Sequence, residues 1–147
     1  MNLLAFVILA AWVNLLAATL TLAATLFYIV VYTSWLKRTT PQNIVIGGAA
    51  GAAPALIGWA AATNELSLTA FWLFAIVFVW TPPHTWALAL VMKDDYKNAG
   101  VPMLPVVVGD RAAAKQIFIY SLILVPITIA VAPVASLGWI YLTIALL

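Results

Sequence analysis

Two adjacent carboxylates, Asp94 and Asp95, lie between Lys93 and Lys97 in the stretch FVWTPPHTWALALVMKDDYKNAGVPMLP, residues 78–105. Paired carboxylates with few other ligands nearby suit Mg²⁺. This hard cation keeps several waters and is usually held by one or two carboxylates plus substrate phosphates. The two lysines offer positive charge to an anion at the same place. Together these residues point to a phosphate ester, and to loss of diphosphate, whose developing negative charge needs neutralising. The plainer reading is a solvated cluster at a helix end, serving as anchor and orientation signal. His84, the only histidine, follows Pro82 and Pro83, which cannot donate backbone hydrogen bonds and so free the carbonyls of Phe78 and Val79. It either satisfies one of those carbonyls or serves as a proton carrier, a metal or haem ligand, or a polar contact to a buried substrate. No serine or acidic partner stands at a nucleophile-motif spacing, and no glycine-rich nucleotide-phosphate loop is present.

Apolar helices must position these groups. Hydrophobic residues make up 67% of the 147, charged residues only 7%, and mean hydropathy is +1.16. Such a composition belongs to an integral membrane protein. The apolar runs are continuous and rich in Ala and Leu rather than alternating over about 10 residues, which favours helices over a barrel. There are no cysteines, so neither a disulfide nor a thiolate metal site can operate. Nothing in the charge pattern calls for nucleic acid.

Met1–Leu36 carries no charge and would measure roughly 54 Å as one helix, more than one crossing. A break at Trp12-Val13-Asn14, where an aromatic and an amide suit an interface, leaves residues 1–11 as a partial helix and 15–32 as a span. Further spans are expected at 43–62, 67–92 and 116–132, with a partial run at 134–147. Both ends lie inside apolar runs, so the chain reads as truncated at each. Three loops, 33–42, 63–69 and 93–115, separate the spans. Gly47, Gly51 and Ala55 recur every four residues, a stripe that serves either close helix packing or room for a large flat ligand. Pro54 should kink its helix. All six Lys and Arg residues fall in loops 33–42 and 93–115, whereas loop 63–69 holds only Glu65. The first two loops are therefore expected on the cytoplasmic side.

Two blocks, YTSWLKRTTPQNIVIGGAAGAAPALIGW at residues 32–59 and WTPPHTWALALVMKDDYKNAGVPMLPVVVG at 80–109, resemble the protohaem IX farnesyltransferases, a branch of the UbiA-type intramembrane prenyltransferases. The TPPH block favours the haem branch. The resemblance implies an all-α polytopic transmembrane bundle of nine helices around a cavity capped by cytoplasmic loops, in the inner (cytoplasmic) membrane. It also implies a reaction in which farnesyl diphosphate ionises with Mg²⁺ and alkylates a vinyl group of haem B. Water completes haem O, which is destined for haem A and terminal oxidases. Its substrates and partners would be farnesyl diphosphate, haem B, the lipid bilayer and a downstream haem A synthase. On this resemblance Asp94 and Asp95 form the second acidic motif and hold Mg²⁺ and diphosphate. Lys37 and Arg38 contact diphosphate oxygens, Lys93 and Lys97 are weaker candidates, and His84 lies toward the haem. Asn43 and Tyr96 fall in matching motifs without an assigned role.

The chain departs from the family in three respects. The first acidic motif, Asn- and Asp-rich and followed by Arg, is absent, which leaves half of the metal site missing and this chain inactive by itself. Thr85 stands where Phe commonly follows the histidine, and Ala55 replaces a second proline. Two other readings stay open: a noncatalytic haem or lipid carrier module, and prenyl transfer to another aromatic acceptor.

Overall fold

A computed structural model describes residues 1–145 of the chain. Its long elements are α1 (Asn2–Trp12), α2 (Leu15–Thr39), α3 (Asn43–Thr63), α4 (Leu68–Val91) and α7 (Asp110–Val134). Two short helices, α5 (Lys93–Asn98) and α6 (Leu104–Val108), link α4 to α7, and α8 is Trp139–Ala145. Among the described residues there is no strand. Four helices, α2, α3, α4 and α7, are long and apolar enough to cross a membrane. At 1.5 Å per residue, 21 to 25 residues reach roughly 32–38 Å, slightly more than a ~30 Å hydrocarbon core.

The break expected near Trp12 is present and has a clear cause. Asn14 caps α2 by accepting a hydrogen bond from the Ala17 amide at 2.8 Å, satisfying one of the first-turn donors a helix leaves free. Its amide nitrogen donates to Ala60 O at 2.8 Å, which ties the start of α2 to the end of α3. Asn64 then closes α3 in the left-handed region, φ 58°, a conformation that asparagine tolerates. Ser67 caps α4 through the Ala70 amide.

The loop expected at 33–42 is helical as far as Thr39. Residues Phe27–Leu36 form a π-helix, in which the carbonyls of Tyr28 and Ile29 also accept hydrogen bonds from Thr33 Oγ1 and Ser34 Oγ, five residues ahead, at 2.9 and 2.8 Å. The polar residues that look like a loop in sequence are thus folded back on their own helix. Likewise the expected loop 93–115 contains α5 and α6, and α7 starts at Asp110 rather than at 116. Asp110, Arg111 and Lys115 occupy its first turns, where they extend the helix beyond its apolar part. The run 134–147 is broken by a turn in which Ser136 has φ 53°; residues 146 and 147 lie outside the described part.

The spans pack in the order α2, α3, α4, α7, with α4 held between α3 and α7, while α2 does not reach α7 among the described residues. Helix contacts are made by small residues: Ala17, Ala18, Ala52, Ala60, Ala70, Ala89 and Ala113 are fully buried. Lipid tails are as apolar as leucine, so helices in a membrane gain by close backbone approach rather than by hiding large side chains. Large residues such as Leu15, Trp35, Phe118 and Val125 are accordingly exposed. The main cluster of buried large side chains, Ile44, Trp86, Val101, Met103 and Leu104, lies where the α5–α6 connection tucks against α3, α4 and α7.

Candidate functional site

The spans run antiparallel, so α2 ends, α3 begins, α4 ends and α7 begins at one end of the bundle. Lys37, Arg38, Lys93, Asp94, Asp95, Lys97, Asp110, Arg111 and Lys115 are all gathered there, and Glu65 is left at the other. Lys37 and Arg38 form the last turn of α2 and are exposed. Asn43 explains how that turn is held. Fully buried at the start of α3, it donates from Nδ2 to Lys37 O at 3.1 Å, anchoring a carbonyl that the helix end leaves free. Its Oδ1 is buried without a partner among the described residues.

Asp94 and Asp95 lie in the first turn of α5, exposed and without a hydrogen bond or ion pair among the described residues. Successive helical positions differ by about 100°, so the two carboxylates diverge. No cluster of three or more His, Cys, Asp or Glu is present among the described residues. The donor set therefore fits a magnesium ion that takes its remaining ligands from waters and phosphate oxygens, not one enclosed by protein. Lys93 is engaged elsewhere, its Nζ lying 2.6 Å from Asp110 Oδ1, and this pair links α5 to the start of α7. Lys97 is exposed and unpaired among the described residues. Half-buried Tyr96 packs on the Ile44–Trp86 cluster and accepts a hydrogen bond at its carbonyl from the Val101 amide, 3.0 Å. It seats α5 against the bundle.

Beside this charged end a groove of about 580 Å³ runs between α2, α3 and α4, within the range of small-molecule sites. From Ile44 to Ile57 it follows α3 for roughly 20 Å. Its walls are mostly apolar, because the hydroxyls of Thr21, Thr25 and Thr81 donate to the carbonyls of Ala17, Thr21 and Val77 in their own helices. Tyr28 and Tyr32, stacked at 5.3 Å, line it from the π segment.

The members of the small-residue stripe differ in their surroundings, although Gly47 and Gly51 both line the groove. A Cβ on Gly47 would collide with the Tyr32 ring, 2.8 Å from Cε2, so this glycine serves packing. Gly51 has nothing within 4 Å of that point and faces the groove. Ala55 is outside the lining.

His84 is not in the groove. It is exposed on the face of α4 that also carries Trp80 and Leu88, stacked on Trp80 with ring centroids 4.2 Å apart. It makes no hydrogen bond among the described residues, so it does not satisfy the carbonyls of Phe78 or Val79. The neighbouring Thr85 faces the groove instead. The groove residues Tyr28 and Tyr32 were not readable as site residues because a π-helix leaves no pattern in the sequence. The Thr21/Thr25 and Thr81/Thr85 pairs, each four apart in apolar helices, were the available signal.

The family model that matches residues 1–147 is that of the UbiA prenyltransferase family. The chain belongs to this family. It is similar to proteins named protoheme IX farnesyltransferase: 61% identical over 140 residues in Gloeobacter violaceus, 59% over 143 in a Synechococcus, and 53% over 148 in a Synechocystis. These alignments cover 95%, 97% and 100% of the chain but only 46%, 43% and 47% of the relatives. The chain thus spans less than half the length of the curated relatives it matches. No solved structure gives a significant match. Family and fold agree on an integral membrane protein with an all-helical, intramembrane prenyltransferase architecture.

Proposed function

We propose that this chain forms part of a protohaem IX farnesyltransferase, with the apolar groove holding a prenyl chain and the charged end holding its diphosphate. The observation that carries this reading is the continuity of the two. Tyr32 and Ile44 line the groove within a few residues of Lys37, Arg38 and Asn43. In the reaction the C1–O bond of farnesyl diphosphate breaks and its electron pair leaves with diphosphate. The vinyl π electrons of haem B form the new C–C bond, and water adds at the other vinyl carbon with loss of a proton. Lys37, Arg38 and Lys97 would balance the charge on the departing diphosphate. Asp94 and Asp95 would hold Mg²⁺, which when bound contributes further neutralisation of that charge. The apolar walls of the groove keep water from the cation until the C–C bond has formed. His84, beside Trp80 on the outer face of α4, would meet the porphyrin side of the site.

The same reading places the chain in the inner (cytoplasmic) membrane with its charged end in the cytoplasm, supported by six Lys and Arg at that end and none at the other. A farnesylated haem gains about 0.8 kcal/mol per buried CH₂ from the bilayer. This favours hand-over within the membrane to a haem A synthase.

The test replaces the matching segment of the Gloeobacter violaceus relative with this chain, so that the relative's remainder is joined to it, and compares turnover of haem B and farnesyl diphosphate with that of the chain alone, with and without Mg²⁺. Mg²⁺-dependent haem O from the joined protein is expected. No product from it, while the relative itself is active in the same membranes, would refute the proposal.

A further inference from the structure

Asn43 is the one polar side chain fully buried among the described residues, and its amide is directed at the main chain. Nδ2 donates to Lys37 O at 3.1 Å, six residues back across the turn between α2 and α3. The Asn43 backbone N–H donates to Thr40 O at 3.2 Å and closes the same turn. The Lys37 amide in turn donates to Tyr32 O, five residues back, where the π segment ends. Both hydrogen-bonding groups of the Lys37 backbone are therefore engaged. One is held by a residue that lines the groove, the other by a residue in the core.

An apolar residue would sit in this position more cheaply. Burying a polar group is destabilising unless it is hydrogen-bonded, and Asn43 Oδ1 has no partner among the described residues. The bond to Lys37 O is thus the feature that accounts for an asparagine here. Its consequence follows from the π segment before it. A π turn closes over five residues rather than the four of an α turn, so a slip of one residue toward α geometry would rotate whatever follows by about 100°. Lys37 and Arg38 follow directly. Both are exposed and without ion pairs among the described residues, so their direction is set by the backbone that carries them.

We infer that Asn43 is a positioning residue for the Lys37–Arg38 pair: by holding the Lys37 carbonyl it fixes the rotation of the last turn of α2 and so directs both cations to the diphosphate beside the groove. Cations fixed before the anion arrives lose less freedom when it binds. Asn43 therefore acts on the binding of farnesyl diphosphate and not on the use of haem. The inference rests on the reading of this end as the diphosphate site given above.

Lys37-Arg38 is the one Lys-Arg step in the 147-residue sequence. Labelling the chain with ¹³C-carbonyl lysine and ¹⁵N-arginine therefore gives a single carbonyl-to-amide correlation in micelles, that of the Lys37 carbonyl. Asn43→Leu, close in volume and without a donor, should move this carbonyl signal upfield through loss of the accepted hydrogen bond, and Asn43→Ala should do the same if leucine does not fit. An unmoved signal in a chain of unchanged helical circular dichroism would overturn the inference by itself. In the joined enzyme Asn43→Leu should raise the KM for farnesyl diphosphate roughly threefold to tenfold, as expected for one lost hydrogen bond, with kcat and the KM for haem B unchanged. A merely structural role would instead lower kcat through a smaller folded fraction. On a Lys37→Ala/Arg38→Ala background the further effect of Asn43→Leu should fall below about twofold, because changes that act through the same groups are not additive. A full additional effect there would overturn the inference. If Lys37→Ala/Arg38→Ala alone leaves the KM for farnesyl diphosphate unchanged while Asn43→Leu still moves the carbonyl signal, the diphosphate reading of this end fails and the inference with it.

Discussion

Gly47 and Gly51 lie one turn apart on the same helix, yet the structure gives them opposite fates on substitution by alanine. At Gly47 the new Cβ meets the ring of Tyr32, whose Cε2 is 2.8 Å away. That ring is stacked on Tyr28 and packed against the Ile44–Trp86 cluster, so it cannot swing aside freely. Overpacking of this kind costs about 1–3 kcal/mol. At Gly51 nothing lies within 4 Å, and only the helical preference of Ala over Gly acts, worth about 0.5–1 kcal/mol in favour of the variant. The preference applies equally at both sites and cancels in the comparison. Gly47→Ala should therefore be less stable than Gly51→Ala by about 1–3 kcal/mol. Reversible unfolding in mixed micelles, followed by helical circular dichroism, measures the difference. On a Tyr32→Ala background the cost at Gly47 should vanish. Equal stability of the two variants, or a cost that survives loss of the Tyr32 ring, would refute the assignment of Gly47 to close packing on Tyr32 and of Gly51 to open space.

Other substitutions probe the remaining elements. Asn14→Ala removes the α2 cap and the bond to Ala60 O; a loss of about 2–3 kcal/mol is expected in the same unfolding assay. In the joined enzyme, Asp95→Asn should lower farnesyl transfer by roughly 100-fold through loss of a metal ligand, and near-normal turnover would place Asp95 outside the site. His84→Ala in that enzyme should weaken the use of haem while diphosphate binding is retained; an unchanged apparent haem affinity would count against its role. Gly51→Phe, which projects into the groove, should raise the KM for farnesyl diphosphate without lowering stability, and an unchanged KM would mean that the chain lies elsewhere.

Much of this protein was legible in its residues because a membrane imposes simple demands. Uncharged runs long enough to cross, and six basic residues confined to two loops, gave the spans and brought the charged groups to one end with no tertiary information. The break at Asn14 was equally readable, since an amide after an aromatic marks an interface and also caps a helix. Asp94, Asp95, Lys37 and Arg38 could be picked out because charges are rare in such a chain. What they face could not, because that depends on helix rotation and on which elements meet. Residues 33–39 and 110–115 looked like loop because hydroxyls and charges such as Thr33, Ser34, Lys37, Arg38, Asp110, Arg111 and Lys115 interrupt the apolar runs, and became helix because their backbones continue the helices next to them.

Only the tertiary structure distinguished the two glycines of the stripe, since an equal spacing of four places Gly47 and Gly51 on one face without saying which of them meets the Tyr32 ring. Only packing turned His84 outward onto Trp80, gave Thr85 to the groove, and tied Lys93 to Asp110. The bond from Asn43 to the Lys37 carbonyl is likewise invisible in sequence. Hydropathy is a sum over neighbours along the chain and can be read from it, whereas a buried hydrogen bond or an open groove is a relation between residues of different helices, which exists only once the helices have packed.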